Sequence, residues 1–377
     1  MISVADMKNA KLCMRVMRNM RRRCITVRQH IKTALVLGLC LGMLAGCGRA
    51  QAEDAEMKGQ DVQDSEEKFG EQDTQEEPGG QKTPENETAA ADSTEDMNST
   101  DTWNKAVPVT ECPEELCVKV EGRDYGTVEH ITYQSDTTGL ERGANILLPA
   151  GYSDEQQYPV LYFLHGIFGD EYSLIKDGNN KIPEILGNLA SEGLAKEMIV
   201  VFPNMYASSD PNQKPDFNSE AVLPYDNFIN DLVNDLIPYI ESNYSVLTDR
   251  ENRAILGFSM GGRETLFIGI SRPDLFGYIG AIAPAPGLTP GQDKFMTHVG
   301  QMQEEDVKIT DTENMPNILM VCCGSRDSVV GKFPLSYHEI MEKNGVDHLW
   351  YEVPGADHDS NAIRSGLYNF VIRYVSQ

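Results

Sequence analysis

The 377-residue sequence has none of the residue spacings that commonly bind metal ions. Its seven histidines are scattered, and neither a CxxC nor an HExxH pattern occurs. Its longest apolar run, residues 33–47, is shorter than the roughly 20 helical residues needed to span a bilayer. These absences argue against a metal-dependent enzyme and against a membrane span at that run. We therefore expect no metal and no cofactor.

Positive charge is scarce beyond the first 50 residues. The chain has 32 Lys and Arg against 58 Asp and Glu, a formal net charge of -26, and ten of the basic residues lie in residues 1–50 beside a single acid. The rest of the chain is therefore strongly acidic and would be repelled by phosphate backbones. We expect no nucleic-acid partner and favour a neutral or esterified substrate.

The N-terminal segment has the layout of a signal peptide. Basic residues, among them Arg21-Arg22-Arg23, precede the apolar run, which ends in Leu44-Ala45-Gly46-Cys47. This tetrapeptide resembles a bacterial lipobox, in which the Cys thiol is joined to diacylglycerol and becomes the mature N-terminus. We predict a signal peptide over residues 1–46, lipidation at Cys47, and export to the cell membrane or cell surface. A plain secretory peptide with an incidental Cys is the alternative.

Residues 47–105 comprise the lipidated Cys and an acidic linker. The linker has too few large apolar side chains to offset its ordering entropy by burial, so we predict a disordered tether that links the membrane anchor to a folded domain over residues 106–377. Within that domain, Cys112 and Cys117 could form a disulfide in an exported protein, which the sequence leaves open. Cys322 and Cys323 lie in an apolar run, where buried free thiols are expected.

Strand and helix patterns alternate over the folded domain. An initial antiparallel pair is followed by short continuous apolar runs, which are typical of strands covered on both faces. One intervening helical pattern, residues 225–244, places Phe228, Leu232, Leu236 and Ile240 on one face. The sequence therefore predicts an α/β fold, with a mostly parallel central sheet and helices on both faces. The predicted strands fall in residues 126–135, 142–152, 158–166, 197–204, 252–259, 278–285, 316–327 and 347–358.

A small polar residue stands where one of these strands meets a helix. Ser259 lies in Gly257-Phe258-Ser259-Met260-Gly261, a G-x-S-x-G pattern. A sharp strand-to-helix turn strains the serine backbone and crowds its neighbours, and glycines on either side remove the clashing side chains. The pattern predicts a nucleophilic serine, although a plain Ser-Gly turn would also explain it.

Two further strand ends carry the partners that such a serine needs. Asp327 follows one predicted strand and His358 follows the next. A hydroxyl needs an imidazole to accept its proton, and the imidazole needs a carboxylate to fix its tautomer. The chain order Ser259, Asp327, His358 is that of α/β-hydrolase triads. A turn-forming Asp and a loop His are the structural alternatives.

Donors for a developing oxyanion are expected at another strand end. His165-Gly166-Ile167 ends the run "YFLHG", where the glycine lets the backbone turn its N–H groups inward. The backbone N–H groups of Ile167 and Met260 are the candidates for an oxyanion hole. We expect His165 itself to be a hydrogen-bonded structural residue rather than a base.

Five segments together resemble the carbohydrate esterase family 1 and esterase D type of α/β-hydrolase, which includes feruloyl and acetyl xylan esterases. They are "FLHGIFGDE", "DLIPYIESNYSV", "RAILGFSMGG", the "GSRD" strand end and "GADHDSNAIRSGLYNF". The resemblance spans residues 120–377 and implies that Ser259 is the nucleophile, Asp327 the acid and His358 the base. It also implies a substrate that is an esterified carbohydrate or another small ester.

Two positions depart from the family pattern. Phe168 stands where many relatives have a second glycine in the oxyanion loop, which would narrow the acyl pocket. The stretch after His358-Asp359 lacks aromatic residues that several feruloyl esterases carry, which disfavours an aromatic acyl group. Residues 205–226 and 286–315 lie beyond strand ends and are expected to shape the pocket mouth. Phe168, Tyr206 and Asp226 are candidate substrate contacts, although Tyr206 could be an ordinary loop residue and Asp226 a helix N-cap.

The sequence thus favours a lipid-anchored serine carboxylesterase that removes feruloyl or acetyl groups from plant polysaccharide or oligosaccharide through an acyl-enzyme. Within the same fold, hydrolysis of siderophore esters, hydrolysis of S-formylglutathione and acyl transfer between sugars are alternatives. A non-catalytic surface lipoprotein that binds sugar or a partner is the alternative from another class.

Overall fold

A computed structural model describes residues 109–374 of the chain. The predicted signal peptide, the lipidation site Cys47 and the acidic linker of residues 47–105 lie outside the described residues. They remain predictions from the sequence.

Ten strands occur in the described residues. They are β1 (Thr127–Ser135), β2 (Leu140–Leu148), β3 (Val160–Leu164), β4 (Ile199–Pro203), β5 (Arg253–Phe258), β6 (Tyr278–Ile282), β7 (Gly291–Gln292), β8 (Thr297–His298), β9 (Ile318–Gly324) and β10 (Leu349–Val353). Eight of them form one sheet in the order β1-β2-β4-β3-β5-β6-β9-β10, and β7 and β8 form a separate hairpin. The pairs β1–β2 and β2–β4 are antiparallel and the others in the sheet are parallel, which confirms the predicted arrangement.

The helices of the described region connect these strands. They are α1 (Ser173–Lys176), α2 (Ile182–Ser191), α3 (Ser219–Asp226), α4 (Phe228–Asp231), α5 (Ile237–Asn243), α6 (Met260–Ser271), α7 (Phe333–Lys343) and α8 (Ser360–Tyr374). A π-helical turn, Leu232–Leu236, joins α4 to α5, and short 3₁₀ turns lie at Glu114–Cys117, Arg250–Asn252, Glu304–Asp306 and Thr312–Asn314. No helix among residues 109–374 combines the length and the apolar character needed to cross a membrane.

The central strands are covered on both faces, as their continuous apolar runs predict. Alternate residues of a strand point to opposite faces, so Tyr162 packs in one core and Leu161 in the other. Helices α3 to α7 bury their apolar side chains in the first core, and α2 and α8 bury theirs in the second. Because helices cover both faces of the sheet, a substrate can reach only the edges of the strands. The loops at the carboxyl ends of the parallel strands are therefore the expected position of an active site.

The helical pattern over residues 225–244 is interrupted in the structure. Instead of one helix, α4, the π-helical turn and α5 follow one another, although Phe228, Leu232, Leu236 and Ile240 are all fully buried as predicted. Pro238 lies just beyond the wide turn and has no N–H to continue the α-helical ladder. Apolar periodicity therefore located the buried face, and the proline explains the break in hydrogen bonding.

The four cysteines of the described residues are free and buried. Cys322 and Cys323 lie in β9, which confirms the expected buried thiols. The sulfur atoms of Cys112 and Cys117 lie 3.7 Å apart without a covalent bond. Thus the structure places this pair in contact as two thiols.

Candidate active site

Ser259 occupies the turn between β5 and α6 in a strained backbone conformation. Its φ is 58° and its ψ is -116°, a region that side chains other than glycine rarely adopt. The turn is held on both sides, because the Ser259 N–H donates to the Ile282 carbonyl at 2.9 Å and the Ser259 carbonyl accepts from the Ala285 N–H at 2.9 Å. These bonds to the end of β6 fix the serine at the carboxyl edge of the sheet.

The glycines that flank Ser259 are required by close backbone packing. A Cβ on Gly257 would overlap the carbonyl group of Gly261 and lie 2.6 Å from Thr265 Oγ1. A Cβ on Gly261 would overlap the carbonyl of Leu164 and lie 2.7 Å from the carbonyl oxygen of His165. Since no side chain fits at either position, the G-x-S-x-G pattern is a steric requirement of this strand-to-helix turn.

His358 and Asp327 are joined by a hydrogen bond. The distance from His358 Nδ1 to Asp327 Oδ2 is 2.8 Å, and the Asp327 side chain is almost completely buried. The Asp327 carboxylate also accepts from the N–H groups of Val329 and Val330. An ionised carboxylate accepts only, so Nδ1 carries the proton and Nε2 is left as an acceptor. This tautomer is the one that a general base next to a serine needs.

The residue before Ser259 contacts this pair. The ring of Phe258 packs against the imidazole of His358, with centroids 4.5 Å apart. On its other side, a Cβ at Gly166 would lie 3.3 Å from Ser259 Cβ and 3.8 Å from Ser259 Oγ. Within residues 109–374 the Ser259 hydroxyl makes no hydrogen bond, to His358 or to any other group. In unliganded enzymes such bonds are often long and tighten only when substrate binds.

Two backbone N–H groups next to Ser259 have no protein acceptor among the described residues. They belong to Ile167 and Met260, the two positions predicted from the sequence. Their neighbours in the loop are engaged: the Phe168 N–H donates to the Tyr225 hydroxyl at 3.1 Å, and the Gly169 N–H to the Gly166 carbonyl. The Ile167 N–H of this loop is thus free, and the first residue of α6 supplies a second free N–H.

His165 holds the oxyanion loop and stays neutral. Its Nδ1 lies 2.7 Å from the Gly166 carbonyl, and its Nε2 accepts from the Met205 N–H at 3.0 Å. Burial lowers the pKa of this imidazole to about 4. Since both nitrogens are engaged in backbone hydrogen bonds, His165 is a structural residue, as expected.

A cleft of about 480 Å³ opens over the imidazole of His358. The oxyanion loop of residues 165–169 forms one wall, and Asn180, Asp359 and Ile363 contribute to another. Phe168 stands at this cleft with its side chain 54% exposed and a φ of 63°. Glycine adopts such a positive φ more readily than phenylalanine does.

Three phenyl rings from different loops meet at the mouth of the cleft. Phe217 packs edge-on against Phe168 with centroids 5.0 Å apart and stacks on Phe295 at 4.1 Å. All three rings are more than one third exposed. We call Phe168, Phe217 and Phe295 the aromatic cluster. Sequence reasoning assigned the two long loops to the mouth but did not identify Phe217 and Phe295 as functional residues. The feature that could have identified them is a single phenylalanine in an otherwise polar loop.

Tyr206 and Asp226 lie behind this mouth. The ring of Tyr206 packs on Tyr225 at 5.0 Å, and its hydroxyl is buried without a hydrogen-bond partner in the described region. Asp226 is the last residue of α3, so the N-cap interpretation is wrong. Its carboxylate instead pairs with the buried guanidinium of Arg263, one turn after Ser259 on α6.

The arrangement of these residues defines the class of the protein. A serine at a strained turn, a histidine bonded to a buried aspartate and a doubly covered, mostly parallel sheet are the features of an α/β-hydrolase. Between Glu111 and Tyr374, no group of three or more His, Cys, Asp or Glu side chains is placed to hold a metal ion.

Comparison with known proteins places the chain within this class. Residues 135–330 match the Esterase family model, described as "Putative esterase", and the chain belongs to that family. It is 48% identical to a CE1 ferulic acid esterase of Anaeromyces mucronatus solved with ferulic acid; the match covers 71% of this chain and 97% of that one, with a TM-score of 0.67. The chain is thus of the CE1 type.

Two other relatives are more distant. An endo-1,4-beta-xylanase/feruloyl esterase of Xylanibacter ruminicola is 32% identical over 186 residues, 48% of this chain but 25% of that protein, so the chain spans about a quarter of its length. The feruloyl esterase module of Clostridium thermocellum, solved as a mutant complexed with sinapinate, is 20% identical over 71% of this chain and 94% of that one, with a TM-score of 0.53. This second likeness shows the shared fold.

Proposed function

We propose that the protein is a feruloyl esterase, which hydrolyses hydroxycinnamoyl esters on plant polysaccharide or oligosaccharide. The observation that carries the proposed chemistry is the 2.8 Å bond between His358 and Asp327, with the His358 ring packed on Phe258, the residue before the strained Ser259. The substrate class is supported by 48% identity to a ferulic acid esterase over 97% of its length.

The aromatic cluster supports a feruloyl rather than an acetyl group. An acetyl group has only one methyl to bury, whereas a hydroxycinnamoyl group has a ring that can stack or pack edge-on against phenyl rings. Phe168, Phe217 and Phe295 present such rings at the mouth of the cleft. The aromatic side chains that the sequence lacks after His358 are thus supplied from other loops.

In the proposed reaction, Nε2 of His358 accepts the proton of the Ser259 hydroxyl as Oγ attacks the ester carbonyl carbon. The negative charge that develops on the carbonyl oxygen is stabilised by the N–H groups of Ile167 and Met260. The C–O bond to the sugar then breaks, and the leaving alkoxide takes the proton from His358. A water molecule, deprotonated by the same imidazole, hydrolyses the feruloyl-Ser259 ester and restores the hydroxyl.

Asp327 acts throughout by holding Nδ1–H and stabilising the imidazolium that forms at each attack. Its near-complete burial keeps this interaction out of water, where it would be screened. The positive end of α6 starts at Met260 and favours negative charge at the same place as the two N–H groups.

Replacement of the nucleophile tests this function. Ser259→Ala should lower kcat on methyl ferulate and on p-nitrophenyl acetate by about 10⁶-fold, by comparison with triad serines elsewhere. Ser271→Ala, at the exposed end of α6, is the matched control and should keep wild-type activity. Near wild-type turnover by Ser259→Ala would refute the mechanism.

A substrate panel tests the acyl group. Feruloylated arabinoxylan fragments, acetylated xylan and a trilactone siderophore are compared by kcat/KM, and the feruloylated fragments should be the best substrate. Preference for acetylated xylan would refute the role of the aromatic cluster in binding the acyl group. Preference for the siderophore would show that the protein is a siderophore esterase of the same fold.

We also propose that the enzyme is exported and anchored to the cell membrane by diacylglycerol on Cys47. The support is the sequence alone: a basic segment, an apolar run and Leu44-Ala45-Gly46-Cys47. Metabolic labelling with an alkyne fatty acid should mark the wild-type chain and not Cys47→Ser. Equal labelling of both would refute the anchor.

A further inference from the structure

A second cavity lies between α3 and the β7–β8 hairpin. It has a volume of about 170 Å³, and neither Ser259 nor His358 lines it. Phe217 lies two residues before α3 and Phe295 lies within the hairpin, so two rings of the aromatic cluster lie next to the elements that form this cavity. The cavity is therefore adjacent to the mouth of the active-site cleft.

A glycine leaves the polar end of this cavity open. Gly287 has a φ of 104°, and a Cβ there would lie 2.9 Å from His298 Nδ1 and 3.1 Å from Arg263 Nη1. Arg263 is 2% exposed, and its Nε and Nη2 pair with Glu264 and Asp226. Nη1 has no acceptor among the described residues. An oxygen atom of a ligand could thus lie between the two nitrogens.

The same cavity offers acceptors next to this donor. Asp226 Oδ1 accepts from Arg263 and from Gln301 at 3.2 Å, while its Oδ2 has no partner in residues 109–374. The Asp226 side chain is 32% exposed and can be reached by a ligand. His298 Nε2 lies 3.1 Å from Asp293 Oδ2 but makes no hydrogen bond in the described region, and Nδ1 has no partner there either, so both ring nitrogens are open to a ligand.

Charge and shape select the class of ligand. The guanidinium of Arg263 pairs with the carboxylates of Asp226 and Glu264, and a third carboxylate, that of Asp293, lies beside His298. The surroundings therefore hold more acidic than guanidinium groups and disfavour an anion. The guanidinium itself disfavours a metal cation. Leu223 and Val299, 58% and 83% exposed, give the outer wall an apolar surface. Alternating donors and acceptors beside an apolar wall match a neutral sugar, which has hydroxyl edges and C–H faces.

We propose that this cavity, formed around Asp226, Arg263, Gly287 and His298, binds one sugar unit of the polysaccharide that carries the scissile ester. The proposal rests on the proposed function and extends it, because it assigns the carbohydrate part of the substrate to a place separate from the acyl cleft. Sugar hydroxyls donate to Asp226 Oδ2, accept from Arg263 Nη1 and form a hydrogen bond with His298 Nδ1.

Paired substrates test this site. His298→Phe removes both ring nitrogens and keeps the ring, and Asp226→Asn replaces an acceptor oxygen and the charge. Loss of one hydrogen bond to a charged or buried group costs about 1 to 3 kcal/mol, so kcat/KM for a feruloylated arabinoxylan oligosaccharide should fall about 10-fold, mainly through KM. Activity on methyl ferulate, which has no sugar, should stay within about 2-fold by the same reasoning.

The control variant is His338→Phe, whose ring stacks on Trp350 away from this cavity. It should leave both substrates unchanged, and thermal unfolding of each variant should confirm that the domain is folded. Equal losses on both substrates, or no loss on the oligosaccharide, would overturn the sugar site.

Binding without catalysis separates this proposal from the proposed function. Unesterified arabinoxylan oligosaccharide is titrated into Ser259→Ala by calorimetry, and into Ser259→Ala with His298→Phe. Binding that weakens about 10-fold in the double variant supports the sugar site even if wild type hydrolyses no feruloyl ester. Absence of binding to Ser259→Ala, or equal binding to both, overturns it even if methyl ferulate is a good substrate.

Discussion

The floor of the active site and its mouth are held together by different interactions. At the floor, backbone packs on backbone: Gly257 and Gly261 leave no room for a Cβ, and Ser259 is tied to the end of β6 by main-chain hydrogen bonds. At the mouth, side chains hold two long segments, because Asp226 of one segment and Gln301 of the other meet at Arg263 and Glu264.

We infer from this difference that the floor of the site determines the chemical reaction and that its mouth determines substrate specificity. Main-chain packing allows no variation of sequence at the serine turn, whereas a mouth built from side-chain contacts can change with the substrate while the turn is kept. Substitutions at the floor should therefore abolish function or folding, and substitutions at the mouth should discriminate between substrates.

After replacement of Ser259 itself, the largest effect is expected within the catalytic pair. Asp327→Asn should lower kcat on methyl ferulate by about 10⁴-fold, because an amide at this position no longer fixes the required tautomer of His358. Asp357→Asn is the matched control: that carboxylate accepts from Ser328 and from the His358 N–H and should change kcat only a few-fold. Similar losses in both variants would show that Asp327 has no special role.

The packing of the serine turn gives the next largest effect. Gly257→Ala should destabilise the domain by more than about 3 kcal/mol, because the new Cβ overlaps the main chain of α6. Gly178→Ala places its Cβ in open space and should leave stability within about 0.5 kcal/mol of wild type. Urea unfolding measures both; an unchanged midpoint for Gly257→Ala would contradict the steric account.

His165 should make stability depend on pH. Its folded pKa of about 4 is lowered by burial from the 6.5 of an unfolded histidine, so the unfolded state binds more protons between these values. Stability should rise by about 3 kcal/mol from pH 4 to pH 6.5 on this account, and level off above. In urea unfolding across this range, His165→Asn should lose this slope. His130→Asn, at a partly exposed position, should keep it.

The smallest effect is expected at the mouth. Phe217→Ala or Phe295→Ala should raise KM for methyl ferulate about 5-fold, in line with about 1 kcal/mol for a lost aromatic contact. Neither should change KM for p-nitrophenyl acetate, whose acetyl group does not reach the rings. Leu194→Ala removes an equally exposed apolar side chain outside the mouth and serves as the control. A parallel loss on both esters would indicate a general structural role.

Sequence reasoning pointed to the floor because its requirements are local. The nucleophile turn needs a serine directly after a strand and a glycine where the tight backbone leaves no room for a side chain. The spacing of Gly257 and Ser259 after an apolar run therefore indicates the turn without any knowledge of the rest of the fold. Asp327 and His358 were predicted as partners because parallel strands bring their carboxyl ends to one edge, which makes residues remote in the chain neighbours in space. The structure places the two side chains 2.8 Å apart. The N–H groups of Ile167 and Met260 followed from the same rule.

The mouth could not be found in this way. Phe217 and Phe295 sit in polar segments without periodicity, and nothing in either segment shows that the two rings stack. Likewise, the sequence predicts that Arg263 is an exposed residue of α6. It is buried in the structure, because the carboxylates of Asp226 and Glu264 pair with its guanidinium.

By itself, the sequence determined the α/β alternation, the serine turn, the order of the Ser259, Asp327 and His358 positions, and the free N–H candidates, because each depends on local backbone requirements or on strand order. Only the tertiary structure decided that Asp327 and His358 are in hydrogen-bond contact, which rings border the cleft and where a second cavity lies. Such contacts join side chains far apart in the chain, and their free energies depend on burial and distance, which no local pattern encodes.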